Sequence, residues 1–342
     1  MANSIQQCRN TFFLLSGEKS TLNQAELRAL VEIYDRKARF EKIGERVFVV
    51  SGKFNPNIIV KRGAYVNAGG LLLTQCKMED MERSINSIAF EEFIDDSKIF
   101  SASVFNLSNK PLSEKVEIII GSAVKRRIPK AKVSLTNPKQ IVTGIISNAN
   151  LIIGITDYMN KKGWVLRRPR TRPFFHPSIL YPKFARGLVN LSRIKEREIL
   201  LDPFCGTGSI LIEASFIGAN CIGIDISMKM CRGAMNNLMH YRLTTLGIIN
   251  SNSLKLPIRQ ADAIATDIPY GRCASSRGLK TSNLLQEFIS KAKDILPKGR
   301  YCIFVHPKTI RLDDLDGFEV KEDHEVYVHR RLTRAITVLK RK

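Results

Sequence analysis

The sequence predicts an α/β protein whose C-terminal half is a doubly wound, mostly parallel sheet, preceded by small α+β modules. Three observations predict it. From residue 198 onward, short apolar runs alternate with longer amphipathic stretches. The first of those runs ends in an acid and a glycine-containing loop. A block of basic residues without acids, 161–172, parts that half from the rest.

The 342 residues are too many for one ordinary core and suit two or three domains. No run of about 18 apolar residues occurs, so no membrane-spanning helix and no membrane partner are expected. The first ten residues have no apolar stretch of signal-peptide type. Lys and Arg number 54 against 32 Asp and Glu, a formal charge of +22 that attracts polyanions, of which nucleic acid is the commonest. A merely basic or ribosome-associated protein is the alternative. Seven scattered cysteines form no CxxC pair and five histidines form no HxxxH pair, so no metal is expected. That usage fits a reducing compartment, and cytoplasmic localisation is expected.

Residues 11–15 (TFFLL) read as a strand, Ser16 and Gly17 as its turn. A helix opens at Thr21, with apolar positions 22, 25, 27, 30 and 31. Residues 45–51 are a second strand. Further on, 100–105 is a strand, 112–125 an amphipathic helix, 132–135 a strand, and 140–146 with 151–156 a hairpin. The segment 161–172 carries Arg167, Arg168 and Arg170 and reads as a basic linker, or equally as a solvated basic face. Beyond it, strands are expected at 198–201, 220–224, 247–250, 261–266 and 300–305, with helices between them. The last two, 326–329 and 334–339, could pair as a hairpin.

Four motifs bear chemistry. The string Asp202-Pro203-Phe204-Cys205-Gly206-Thr207-Gly208-Ser209 follows the first strand of the parallel sheet. Gly206 and Gly208 let backbone approach a ligand, and Asp202 can accept from an ammonium group. A dinucleotide site would want a third glycine where Leu211 stands, so NAD and a dehydrogenase are disfavoured. The leading carboxylate instead suits the amino group of a methionine moiety. Asp225, after the second strand, is placed to bind two ribose hydroxyls, with a helix cap as the alternative. Ile226 would pack on adenine. Asn252 and Ser253 could meet the adenine edge, and a plain turn explains them nearly as well.

Fourth is Thr266-Asp267-Ile268-Pro269-Tyr270-Gly271-Arg272. An exocyclic amine on a base is a poor nucleophile because its lone pair is delocalised into the ring. Acceptors that hold its hydrogens turn that lone pair toward a methyl donor. Asp267 would be one acceptor and take the proton, and the Ile268 carbonyl would be the second. Pro269 would set the chain direction and Tyr270 would stack on a flipped-out base. His176, before a helix at 179–191, could wall the cofactor pocket, although a capped helix start explains it as well.

These strings resemble the amino-methyltransferase branch of the Rossmann-fold methyltransferases. With Arg172-Pro173-Phe174-Phe175-His176-Pro177 they resemble, more narrowly, the archaeal tRNA guanine-10 N2-methyltransferases. Residues 100–156 are similar to a THUMP domain, an RNA-binding module. The resemblance implies an N-terminal ferredoxin-like α+β domain at 1–60, a THUMP domain at 61–160, a linker at 161–173 and a Rossmann domain at 174–342. It implies S-adenosylmethionine as cofactor and tRNA as partner. One or two methyl groups would go to N2 of one guanine, at position 10. Arg272 would join the substrate contacts, and Lys125, Arg126, Arg127, Lys130, Arg167, Arg168 and Arg170 would meet phosphates. A monomer is expected, and a small activator subunit is left open. Two departures stand out: Ile268 replaces the family's first proline, and Asn252 replaces an Asp.

Three alternatives compete. A guanine at position 6 or in another structured RNA is one, although related enzymes typically carry Asn in place of Asp267. A DNA amino-methyltransferase would leave the THUMP-like half without a role. A non-catalytic RNA-binding protein would not need the acids at 202, 225 and 267.

Overall fold

Alternation of apolar side chains sets the first strand: Phe12 and Leu14 lie on one face, Phe13 and Leu15 on the other, and all four are buried. The computed structural model describes residues 9–18, 21–95, 99–157, 163–177, 179–269, 281–310, 312, 315, 317–330 and 332–342. Tyr270, Arg272, Lys161 and Lys162, which the sequence reading placed in the site or the linker, lie outside the described residues.

The elements run β1 (Arg9–Leu15), α1 (Leu22–Tyr34), β2 (Arg39–Lys42), β3 (Val47–Gly52), α2 (Pro56–Arg62), β4 (Val66–Lys77), α3 (Met81–Ser87), β5 (Ile99–Asn106), α4 (Ser113–Arg127), β6 (Lys132–Val133), β7 (Gln140–Ser147) and β8 (Asn150–Thr156). Then come α5 (Pro182–Leu191), β9 (Ile199–Asp202), α6 (Ser209–Ser215), β10 (Asn220–Asp225), α7 (Met228–His240), β11 (Gly247–Asn250), β12 (Ala263–Asp267), α8 (Thr281–Ile295), β13 (Tyr301–Pro307), β14 (Phe318–His329) and β15 (Leu332–Arg341).

These form two units. The first comprises residues 1–17, 34–62 and 66–161, the second 18–33, 63–65 and 162–342. In the first, one mixed sheet of eight strands runs in the order β2-β3-β1-β4-β8-β7-β5-β6. β4 pairs antiparallel with both β1 and β8, so the sheet is continuous from residue 9 to residue 156. Under it α3 and α4 pack Ile85, Val116, Ile120 and Val124 against Phe100, Val142 and Ile153.

The second unit holds a seven-stranded sheet ordered β11-β10-β9-β12-β13-β15-β14. The first five are parallel, and β15 enters antiparallel between β13 and β14. Leu200, Ala263, Ala265 and Ile303 face α5 and α6 in one apolar cluster, while Leu201, Ile264, Cys302 and Phe304 face α8 in another. Helices on both faces of a largely parallel sheet make it doubly wound, as the sequence predicts.

Most of α1 belongs to this second unit. Glu26 on α1 is fully buried. It accepts the Ala64 N–H at 2.6 Å, the Tyr65 N–H at 2.7 Å and the Asn190 side-chain amide at 2.6 Å. A buried carboxylate with three donors is satisfied rather than strained.

Three expectations are corrected. Residues 251–262 carry turns and no helix, because Pro257 and the Asn252 turn interrupt the chain between β11 and β12. The strand expected at 132–135 shrinks to the two residues of β6. β2, β4, α2 and α3 are additional elements.

Candidate active site

Strand order in the second sheet reverses between β9 and β12, and an open α/β sheet takes its ligand beyond the strand ends at such a point. β9 ends on Asp202 and β12 on Asp267. Thr266 Oγ1 donates to Asp202 Oδ1 at 2.6 Å, and the Phe204 N–H adds a bond at 3.2 Å. At the end of the neighbouring β10, Asp225 accepts the Gly206 N–H at 3.0 Å and the Ser227 N–H at 2.8 Å. Two acids from adjacent strands therefore hold the loop 203–208 between them.

Gly206 and Gly208 take φ of +50° and +81°, in the left-handed region that favours glycine. No described residue lies within 4 Å of where a Cβ on Gly206 would sit, so among the described residues the loop backbone is open in front. Behind it, Asn237 on α7 donates to the Thr207 carbonyl at 3.0 Å. Asn237 also bonds both the N–H and the carbonyl of Phe174 at 3.0 Å. One buried amide thus ties the glycine loop to the Arg172–Pro177 string.

Electrostatics single out two of the acids. Asp202 is buried, and burial, together with the charges of Asp267 and Asp225, pushes it up to about 7 against its two hydrogen bonds. Burial also pushes Asp267 up to about 7, opposed by Arg334. The nearest contact of that pair is 3.8 Å, from Arg334 Nη2 to Asp267 Oδ2. Asp267 Oδ1 is buried and has no hydrogen-bond partner among the described residues. An orphaned carboxylate oxygen costs free energy and stands out as a functional atom. Burial raises Asp225 as well.

The remaining expected residues fall as follows. Ile268 is 1% exposed and donates its N–H to the Val305 carbonyl at 3.1 Å. That bond is one a proline could not make. Pro269 is half-buried beside it. Phe204 packs edge-on against Phe288 of α8, with centroids 5.5 Å apart. Ile226 is half-buried at the end of β10, and Ser253 is buried. Asn252 Oδ1 accepts the Leu254 N–H at 3.0 Å, the plain turn left open above. His176 lines a different depression, whose walls include no residue of the loop 203–208 and none of the three acids.

The basic residues divide. Arg167 is turned inward, where its Nε meets Glu213 at 2.9 Å. Arg168 and Arg170 are exposed. In the first unit, Lys125 caps the end of α4 on the Pro129 and Ala131 carbonyls, and Arg127 pairs with Glu91 at 3.1 Å. Arg126 and Lys130 are exposed.

Thr266, Asn237 and Arg334 were not assigned from sequence. Asn237 left a signal, a polar residue on the apolar side of an amphipathic helix. Arg334 left none, since only the pairing of β15 with β13 brings it to the sheet's ligand end.

The residues fit S-adenosylmethionine. An open glycine loop, a buried acid that could accept from an ammonium and a second acid that could accept from ribose hydroxyls are the groups such a cofactor needs. Fold and site define a Rossmann-type S-adenosylmethionine-dependent methyltransferase. The chain belongs to the archaeal tRNA (guanine(10)-N2)-dimethyltransferase family. The tRNA (guanine(10)-N2)-dimethyltransferase of Methanocaldococcus jannaschii is 31% identical, with 96% of this chain and 99% of that one covered. Its counterpart in Methanothermobacter thermautotrophicus is 32% identical, with coverage of 96% and 98%. The RMKL-like methyltransferase domain family matches residues 169–336. Among solved structures, TrmN from Thermus thermophilus shares the fold at TM-score 0.55 and 17% identity, covering 97% of this chain and 100% of its own. So does SMU.472, whose crystal structure is a complex with S-adenosylhomocysteine, at TM-score 0.51 and 12% identity, covering 98% and 99%.

Proposed function

We propose that this enzyme methylates N2 of a guanine in tRNA, the guanine at position 10, adding one or two methyl groups. The observation that carries the reading is the orphaned Oδ1 of Asp267 at the end of β12. Bound S-adenosylmethionine supplies an electrophilic methyl group. Asp202, ionised, holds an ammonium, and Asp225 holds the ribose hydroxyls. Asp267 Oδ1 accepts a hydrogen from the guanine amine, and the Ile268 carbonyl accepts the other. The amine lone pair is thereby turned out of conjugation. As the new N–C bond forms, the S–CH3 bond of the donor would break to leave neutral S-adenosylhomocysteine, and the surplus proton on nitrogen passes to Asp267, whose affinity for it near pH 7 suits a general base.

In the same reading, the unit built on the eight-stranded sheet grips the tRNA, its ferredoxin-like and THUMP-like parts sharing that sheet. Residues 161–173 link them to the catalytic domain at 174–342. Arg126 and Lys130, exposed and basic, meet phosphates, which position the RNA without reading its sequence. The enzyme works in the cytoplasm as a monomer. Two named relatives support position 10. A 26%-identical relative, the tRNA (guanine(6)-N2)-methyltransferase of Methanocaldococcus jannaschii, covers 75% of this chain and keeps position 6 as the second reading.

The test is methyl transfer from labelled S-adenosylmethionine to an unmodified tRNA transcript, followed by nucleoside mapping. N2-methyl- or N2,N2-dimethylguanosine at position 10 is expected. A label on any other atom would overturn the reading.

A further inference from the structure

The Arg167–Tyr181 stretch carries more charge and aromatic surface than the reaction at Asp267 uses. Its cations point two ways. Arg167 and Arg186 share Glu213, which is fully buried, and Arg172 is buried with its Nη1 donating to Ser209 Oγ at 2.8 Å. Arg168 and Arg170 point outward and carry no acidic partner among the described residues. They line a depression of about 310 Å³ together with Phe175 and Tyr181, and none of the described residues in its walls is an acid. Phe175 is 50% exposed and Tyr181 is 43% exposed.

The walls are held in place. Two short 3-10 turns, Trp164–Arg167 and Pro169–Thr171, set the arginines, and Arg172 and Phe174 fasten the stretch to α6 and α7. The Phe174 ring also sits against Gly233. A pocket with fixed walls, two uncompensated guanidinium groups and two accessible aromatic rings matches one nucleotide of a nucleic acid. The rings offer a stacking platform and the arginines a clamp for phosphate. Its volume is at the small end for ligand pockets, enough for one base and its phosphate.

We propose that this depression is a second nucleotide subsite. It takes an unstacked nucleotide of the substrate RNA other than the methylated guanine, with its base on Phe175 and its phosphate on Arg168 and Arg170. The methylated base belongs at Asp267, Ile268 and Pro269, none of which lines the depression. The proposal rests on the reading of the chain as an RNA methyltransferase. It adds a point of purchase that fixes which nucleotide reaches Asp267.

The test uses the full chain and an unmodified tRNA transcript, with affinity measured across a salt series. Phe175→Leu, which keeps apolar bulk without a ring, is expected to weaken RNA binding on the order of tenfold with the salt slope unchanged. Phe175→Trp is expected to keep it. Arg168→Gln with Arg170→Gln is expected to weaken binding and to lower the log–log salt slope by about one to two. S-adenosylhomocysteine should bind all of these variants as it binds the parent, which also shows that they fold. If Phe175→Leu binds RNA as well as Phe175→Trp does, the subsite is overturned. If it loses S-adenosylhomocysteine instead, the depression belongs to the cofactor and the proposal falls. Methyl transfer by the unaltered chain tests the parent reading separately. A chain that transfers no methyl group yet distinguishes Leu from Trp at 175 would keep the subsite and lose that reading.

Discussion

Thr266 donates its hydroxyl hydrogen to Asp202 across the reversal point of the sheet, over 2.6 Å, joining the last residue of β9 to the penultimate residue of β12. The bond favours ionised Asp202, whose burial pulls the other way. Thr266→Val keeps the shape and removes the donor. Cofactor affinity at pH 7 is expected to fall about tenfold, the loss of one hydrogen bond to a charged group. The pH at which affinity is half lost is expected to move above about 7. Titration calorimetry with S-adenosylhomocysteine at pH 6, 7 and 8 measures both; an unmoved midpoint would break the link between this pair and the cofactor.

The unliganded enzyme should lose stability as pH rises from about 4 to about 7. In that window the folded chain holds protons on Asp202 and Asp267 that the unfolded chain has released, since each group moves from 3.8 to about 7 on folding. Above about 7 their contribution levels off. An ammonium ligand binds the ionised form of Asp202, so the stabilisation given by S-adenosylhomocysteine should be larger at pH 8 than at pH 6. Paired thermal melts check both slopes, and a ligand shift that shrinks with rising pH would contradict the role of Asp202.

Asp267→Asn should abolish methyl transfer and raise the melting temperature of the free enzyme at pH 8. An amide carries no charge to desolvate, and the relief is on the order of 1–3 kcal/mol. Binding of S-adenosylhomocysteine should survive. A variant that keeps near-parental turnover would remove Asp267 from the mechanism.

Ile268→Ala should lower stability by about 2–4 kcal/mol, because the side chain is buried in the α8-facing cluster. Turnover should fall with it while cofactor affinity holds, since the loop after β12 loses its anchor. Chemical denaturation and steady-state kinetics separate the two effects.

The C-terminal unit is legible in sequence because parallel strands buried on both faces write themselves as continuous apolar runs, as at residues 263–265. Asp202, Asp225 and Asp267 were legible for the same reason, each following such a run. β4 was not. Gly69 and Gly70 break the apolar pattern of Val66–Lys77, and a Cβ on Gly70 would run into the Ile155 carbonyl of the paired strand. Close strand approach and a turn use the same residue, and local pattern cannot separate them. The partners of Arg167 were equally hidden. A basic string looks solvated until Glu213, 46 positions away, is brought beneath it.

Glu26 bears on how the chain is made. Its helix is translated well ahead of Asn190, which supplies one of its three donors and follows 164 positions later. At ordinary translation rates that is a wait on the order of ten seconds or more. Meanwhile β1, β3 and β4, which flank α1 in the chain, can already pair with one another. Until Asn190 is made, Glu26 lacks one of its three donors and keeps water in that place, so the second unit can close around it only after residue 190 has been added.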